Sequence, residues 1–405
     1  MPETLIIGAG QAGLTMSHAL SKLGRPHLVL ERGRVGERWR SERWTGMHFQ
    51  TPNALVRLPG FPLSLVNPNG YATAAQIADF LDDYARFAGV PVRRGVAVTG
   101  LRVGEGGFIA ETSDGPMAAD NVVVATGPFQ RPIVPPLLPE TPDILQMHAS
   151  RYRDPRQLPA GAVLVVGAGA SGSQIAHELM RAGRQVYFSV SRHRRAPRRY
   201  RGHDHIWWWI ETGMDQTPAA KRGPDRGPLV HTGAYGGGTI DFRRFADQGM
   251  VLLGRAERAV DGVMGFGPDL MDNLAQGDAA YFAFMDFVDA HIARHGMNSP
   301  EDPAARVLAP APPGLETPVR SLDLRVAGVG AVIWATGYGF DFGWIDVPVL
   351  DGRGMPVHRD GVTEVPGLYF LGLPFLSRMS SSFLFGVGQD SAALAAHIAA
   401  RRSDV

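Results

Sequence analysis

The chain has 405 residues, 44% of them hydrophobic and 20% charged, with a formal net charge of +1. Those values suit a globular protein of two domains and give no general pull toward nucleic acid or an acidic surface. There is no cysteine, which excludes a disulfide framework, a CxxC redox pair, a cysteine nucleophile and a zinc thiolate within this chain.

Thr4 to Ile7 is an apolar run suited to a buried parallel strand, and it leads straight into Gly8-Ala9-Gly10-Gln11-Ala12-Gly13, a GxGxxG turn. So early a strand leaves no room for a signal peptide, and no run of 18 apolar residues exists to cross a bilayer, so a cytoplasmic location is expected. The helix behind the turn carries Leu14, Ala19, Leu20 and Leu23 and stops at Gly24, and Leu28 to Leu30 form a second strand ending in Glu31. Gly8 permits the tight turn, Gly10 lets backbone approach a pyrophosphate, and Gly13 lets helix and strand pack closely. The helix start, with Gln11 and Ala12, offers free N–H groups to phosphate. Glu31 follows Gly13 by 18 residues, where a carboxylate can accept hydrogen bonds from both hydroxyls of an unphosphorylated ribose, which favours FAD or NAD over NADP.

Arg32 to Pro62 has no clean period and reads as an ordered functional loop lying along a cofactor toward its reactive end. Arg32, Arg38, Trp39, His48 and Thr51 are the candidate contacts, while aromatic plugging of a packing layer accounts as well for Trp44 and Phe49. Thr73 to Gln76 is a capping box opening a helix through Ala88. Strands around Val96–Val103 and Phe108–Thr112 suggest a small meander. Asn121 to Thr126 is another buried strand and sets Ala125, Thr126 and Gly127 at its carboxyl end. Residues 128–161 are proline-rich and read as a connection.

A second cradle follows. Ala162 to Val166 is a strand, Gly167-Ala168-Gly169-Ala170-Ser171-Gly172 repeats the GxGxxG turn, and a helix and a strand to Val190 complete the unit. Where the first cradle has Glu31, this one has Ser191, Arg192 and Arg194, and six of the ten residues from Arg192 to Arg201 are arginine. Guanidinium groups there can bind a 2′-phosphate, which suits NADPH; a solvated basic face or a nucleic-acid patch is the competing reading. The aromatic residues at Trp207–Trp209 and between Tyr281 and Ile292 read first as core, with a share of the rings walling a cavity. Ala331 to Thr336, followed by Gly337, echoes the earlier NVVVATG and is read as a return to the first domain. Gly367 to Gly372 is a further strand, and Gly388 lies at the Gly-rich start of a final helix. The fold class expected is α/β with two Rossmann-like dinucleotide-binding domains, the second inserted in the first: residues 1–155, 156–320 and 321–405.

The two cradles stand about 159 residues apart, and each nucleotide half is followed by an ATG. With the loop from Trp39 to Pro62, His148-Ala149-Ser150-Arg151-Tyr152, Ala335–Tyr338, and the C-terminal GLYFLG and GVGQD, the whole chain resembles the flavin-containing monooxygenase superfamily, and more narrowly its YUCCA-like and bacterial flavoprotein branch. That resemblance implies FAD in the first cradle, NADPH in the second, and a single-component monooxygenase placing one oxygen atom from O2 into a small organic substrate through a C4a-(hydro)peroxyflavin. It implies that Gln50 or Asn53 faces the flavin. His148 and Tyr152 keep the HxxxY half of the superfamily fingerprint, while Pro142 and Ile144 stand where its Phe and Gly would be. Expected partners are a small-molecule substrate and O2, with no nucleic acid, membrane or metal, and a homodimer open. Two other functions compete: an NADPH reductase or electron-transfer flavoprotein without oxygenation, and a nucleotide-sensing protein without turnover.

Overall fold

The computed structural model describes residues 2–65, 67–224 and 227–401. Two five-stranded sheets, all of whose neighbouring strands run parallel, dominate it. The first has the order Leu368–Phe370, Asn121–Val124, Thr4–Ile7, His27–Glu31, Val92–Arg94. Thr4 is in register with both His27 and Asn121, so the strand feeding the first glycine turn lies at the sheet centre. Helices Gln11–Lys22 and Val387–Ala400 pack together on this sheet. Ala74–Phe87 joins them, opened by the expected capping box, in which Thr73 accepts from the Gln76 amide.

The second sheet has the order Leu145–His148, Val329–Trp334, Ala162–Val166, Val186–Ser189, Val251–Leu253. Its central strands read as unbroken apolar runs because both faces are covered. Val163, Val165 and Ile333 enter one core, and Leu164, Val332 and Trp334 enter the core on the other face. Doubly-wound sheets of this kind bind ligands outside the carboxyl ends of their strands, where the strand order reverses. Both glycine turns stand at such ends.

Two expectations are corrected. Ala331–Thr336 does not return the chain to the first domain: its strand pairs along Ala162–Val166 in the second sheet. Leu145–His148, expected within an aperiodic connection, is the edge strand beside it. A four-residue edge strand with little alternation leaves no period to detect. The second sheet therefore draws strands from both sides of the 156–320 segment, and the two crossings run side by side, Arg131–Pro132 antiparallel to Tyr338–Gly339. The expected meander is present as Val98–Gly104, Gly107–Thr112 and Met117–Ala119, extended by Ile345–Asp346. Helix Leu270–His295 carries Tyr281, Phe284, Met285 and Val288 into a smaller core with Tyr200 and Trp208. Core packing thus accounts for Trp208, whose Nε1 donates to Tyr200 O at 2.8 Å, while Trp207 and Trp209 stay half-buried. Among the described residues no helix is long and apolar enough to cross a membrane.

Candidate functional site: two dinucleotide cradles and the junction between them

The three glycines of the first turn differ in what they are needed for. Gly8 has φ +108°, and a Cβ there would lie 2.8 Å from Ala125 O. A Cβ on Gly13 would fall 1.8 Å from Gly8 O, so only glycine lets helix and strand meet. Gly10 has ordinary extended dihedrals and nothing within 4 Å of where its Cβ would be. Its lack of a side chain serves no internal contact, which leaves an outside group as the reason for the open space. Glu31 Oε2 accepts from the Ala9 amide and Oε1 from the Gly33 amide, both at 2.8 Å. The carboxylate is thereby pinned at the cradle mouth with lone pairs left for two hydroxyls.

Gln11 Nε2 donates to Ser382 O, and Ala12 is buried against Gly372, where a Cβ would come within 2.7 Å of the Ala12 Cβ. Gly388 is required by Pro59, 2.5 Å from its would-be Cβ. Gly372 thus lets the turn after strand Leu368–Phe370 meet the first helix, and Gly388 lets helix Val387–Ala400 approach Pro59. Ala125 is buried; Thr126 and Gly127 are held by Gln130, whose Nε2 donates to Thr126 Oγ1 at 3.0 Å and to Gly127 O at 2.8 Å.

The second cradle repeats the design. Gly167 has φ +110° and a would-be Cβ 2.5 Å from Ala335 O; that of Gly172 would sit 1.8 Å from Gly167 O; Gly169 has no neighbour closer than 3.5 Å. Ala170 is half-buried and Ser171 exposed in the first helical turn. The arginine cluster beyond it divides in two. Arg195 pairs with Asp278 at 2.7 Å and Asp241 at 3.4 Å, Arg198 pairs with Asp204, and Arg201 pairs with Asp289 at 2.8 Å, so these three are engaged within the chain, the first two buried and Arg201 half-buried. Arg192 and Arg194 are exposed beyond half-buried Ser191, which follows the strand Val186–Ser189, and Arg194 Nε donates to Gly227 O at 3.0 Å.

Between the cradles runs the 39–53 loop. Arg32 is exposed, Arg38 is engaged by both oxygens of Glu42, and Trp39 stands edge-on to Phe49 with ring centroids 5.4 Å apart. His48 Nδ1 lies 3.1 Å from Gly46 O, and Thr51 is buried. Asn53 is turned into the chain, its Nδ2 donating to Asn67 O at 2.8 Å. Gln50 instead faces the second domain: its carbonyl accepts from Arg198 Nη1 at 2.9 Å, and its Nε2 reaches toward His231 O at 3.4 Å.

His148 and Tyr152 have positioning roles. The Nε2 of neutral His148 donates to Gly337 O at 3.0 Å while Nδ1 accepts from the Ser150 amide at 3.1 Å, and burial pushes its pKa down. Tyr152 Oη donates to Glu178 Oε2 at 2.7 Å, and Glu178 reaches over Gly46, whose would-be Cβ lies 1.9 Å from Oε1. With Thr45 N donating to Arg153 O at 2.8 Å, this segment ties the 39–53 loop to the second cradle's helix. Sequence reasoning missed Arg198, His205 and His231 at the junction. Arg198 lies between two short strands, His205 opens the helix His205–Glu211 and His231 follows the strand Leu229–Val230, so no local spacing marks the three as neighbours.

Two glycine turns of one design, each at the carboxyl end of a parallel sheet, are the features that the chain's relatives help to place. The chain matches the family model described as pyridine nucleotide-disulphide oxidoreductase over residues 5–221, and it belongs to that family. It is 34% identical to a CzcO-like oxidoreductase of Geobacillus kaustophilus (strain HTA426) over 393 residues, 96% of each chain. It is 31% identical to the indole-3-pyruvate monooxygenase YUCCA1 of Oryza sativa subsp. japonica over 192 residues, 45% of this chain and 46% of that one. The flavin-containing monooxygenase from Stenotrophomonas maltophilia shares its fold with a TM-score of 0.66 at 17% identity, covering 98% of both chains. These likenesses bear out the superfamily resemblance carried by the motifs.

Proposed function

We propose that this oxidoreductase is a single-component monooxygenase that holds FAD in the first cradle and NADPH in the second, and inserts one oxygen atom from O2 into a small organic substrate. The observation that carries the reading is the pair of open glycines, Gly10 and Gly169, each in a turn otherwise tightly packed. Glu31 supports an unphosphorylated ribose in the first cradle, and Arg192 and Arg194 support a 2′-phosphate in the second. The chain has no cysteine, so it has no thiol pair of its own to exchange with a disulfide, whatever the family description includes.

Bound FAD would supply hydride acceptance and oxygen activation, and the protein's part is binding, orientation and the exclusion of water. Gly10 and the helix start hold the pyrophosphate, Glu31 holds the ribose, and Gln130 fixes the Thr126–Gly127 turn. Tyr152 and Glu178 hold the 39–53 loop over the junction, so Gln50 rather than Asn53 is the amide offered there. The test is NADPH oxidation under 18O2 across ketones, thioethers, amines and 2-oxo acids. Labelled product in step with NADPH supports the reading. Oxidation that yields only hydrogen peroxide, with fast reduction of a quinone or ferredoxin, replaces it with electron transfer.

A further inference from the structure

Four buried polar atoms without a hydrogen-bond partner gather beside Gln50: His231 Nε2, His205 Nδ1, Arg198 Nε and Gln174 Oε1. Their residues touch one another. Gln174 Nε2 donates to His231 O at 2.8 Å, Arg198 Nη1 lies 3.5 Å from His231 Nδ1, and the rings of His205 and His231 meet edge to face at 4.6 Å. Buried polar groups are nearly always paired, so four orphans on contacting residues call for an absent partner. Arg198 can only donate, so Nδ1 of neutral His231 is an acceptor and Nε2 carries a hydrogen aimed at nothing.

From this node a path of rings leads outward. His205 stands 5.0 Å from Trp209, one helical turn on, and Trp209 stands 5.9 Å from Phe383 at the approach to the C-terminal helix of the first domain. Trp209 and Phe383 are half-buried, whereas both histidines are fully buried. The second domain's 214–219 stretch is laced to the same loop, Ala219 N donating to Ser377 O at 2.8 Å and Met379 N to Thr217 O at 2.8 Å. One end of the path is buried and polar and the other is aromatic and half-buried.

We propose that His231, with His205 beside it, is the polar end of the substrate site, donating a hydrogen bond to a carbonyl-type oxygen of a flat aromatic substrate whose ring lies against Trp209 and Phe383. This rests on the reading above and adds the recognition chemistry of its substrate. The charges facing the node are Arg198, neutralised by Asp204 on which Tyr71 Oη also donates, and Arg194. Burial and those arginines hold both imidazoles well below their usual pKa. The unpartnered donors, His231 Nε2–H and Arg198 Nε–H, therefore suit an oxygen, either a ketone or a carboxylate, over an ammonium, which brings only hydrogens of its own. The two differ in one respect: a buried carboxylate stabilises imidazolium and draws in a proton, and a ketone does not.

Three probes of matched shape test this by calorimetry on the FAD-loaded protein at pH 7.5, in two buffers of different ionisation enthalpy: benzylacetone, hydrocinnamate and 1-methyl-3-phenylpropylamine. The ketone and the acid should bind about tenfold or more tightly than the amine, as a lost or repelled hydrogen bond in a dry site requires. Hydrocinnamate should take up a proton and benzylacetone none. His231→Leu should weaken both acceptors about tenfold while leaving the melting temperature and flavin content near wild type, and His231→Gln, which keeps an N–H, should recover the ketone. Binding of the amine as tight as that of the ketone, binding of neither acceptor, or wild-type affinities in His231→Leu overturns the proposal. Binding is read without turnover: the expected series with no oxygenated product would remove the monooxygenase reading alone, and product formation with an inert His231 would remove this site alone.

Discussion

Substituting the middle glycine of each cradle separates the two nucleotides. Gly10 and Gly169 both have dihedrals that alanine adopts freely, φ −83° and ψ −175° in one, φ −74° and ψ −178° in the other. The added methyl meets nothing within 4 Å at Gly10 and nothing closer than 3.5 Å at Gly169. Each apoprotein should therefore keep its stability within about 0.5 kcal/mol, as for surface substitutions. The methyl stands where a pyrophosphate must come against the backbone. Losing two charge-assisted hydrogen bonds at about 1.5 kcal/mol each gives roughly 3 kcal/mol, or a hundredfold in Kd. Gly10→Ala should thus purify without flavin and rebind FAD about a hundredfold more weakly by fluorescence titration. Gly169→Ala should keep its flavin and be reduced only at much higher NADPH concentration. Gly13→Ala is the control, since its methyl overlaps Gly8 O and should cost the fold itself about 1 to 3 kcal/mol. Wild-type FAD affinity in Gly10→Ala, or loss of flavin in Gly169→Ala, would refute the assignment of cradles.

Glu31→Ala should weaken FAD by about 1.5 to 3 kcal/mol and also loosen the empty cradle, because the Ala9 and Gly33 amides lose their acceptor; flavin titration and thermal melting of the apoprotein read the two effects. Arg192→Ala and Arg194→Ala should raise the KM for NADPH and leave that for NADH nearly unchanged, whereas Arg195→Ala should destabilise the fold by about 1.5 to 3 kcal/mol, because Asp278 and Asp241 lose one of two cations and keep Arg243, with no change in coenzyme preference. Equal effects on both coenzymes at the first two positions would reassign them. Stability should fall as pH drops below about 6.5, because burial depresses the folded pKa of His148, His193, His205 and His231 while the unfolded chain takes up protons on all four. Melting temperature should hold from pH 8 to 7 and decline steadily toward pH 5, and a flat profile over that range would contradict the buried neutral state.

The sequence by itself determined both cradles, because the requirements are local: a strand, three glycines with separate steric duties, a helix start and the residue ending the next strand all lie within 30 residues. The glycine clashes of both turns repeat that reasoning atom by atom. It also carried the capping box at Thr73 and the meander, each set by contacts a few residues apart. Which sheet a strand joins was decided only in three dimensions. Val329–Trp334 and Asn121–Val124 are both short apolar runs buried on two faces, and nothing in such a run records its neighbours. The arginine cluster likewise read as one group suited to a 2′-phosphate, with a basic face competing, and only the placement of nearby Asp204 and of Asp241, Asp278 and Asp289, distant in sequence, engaged Arg195, Arg198 and Arg201 within the chain. Tertiary structure also set Gln50 apart from Asn53 and gathered His205, His231, Arg198 and Gln174 into one node, since a junction between domains is built from segments whose only shared property is the position to which the fold brings them.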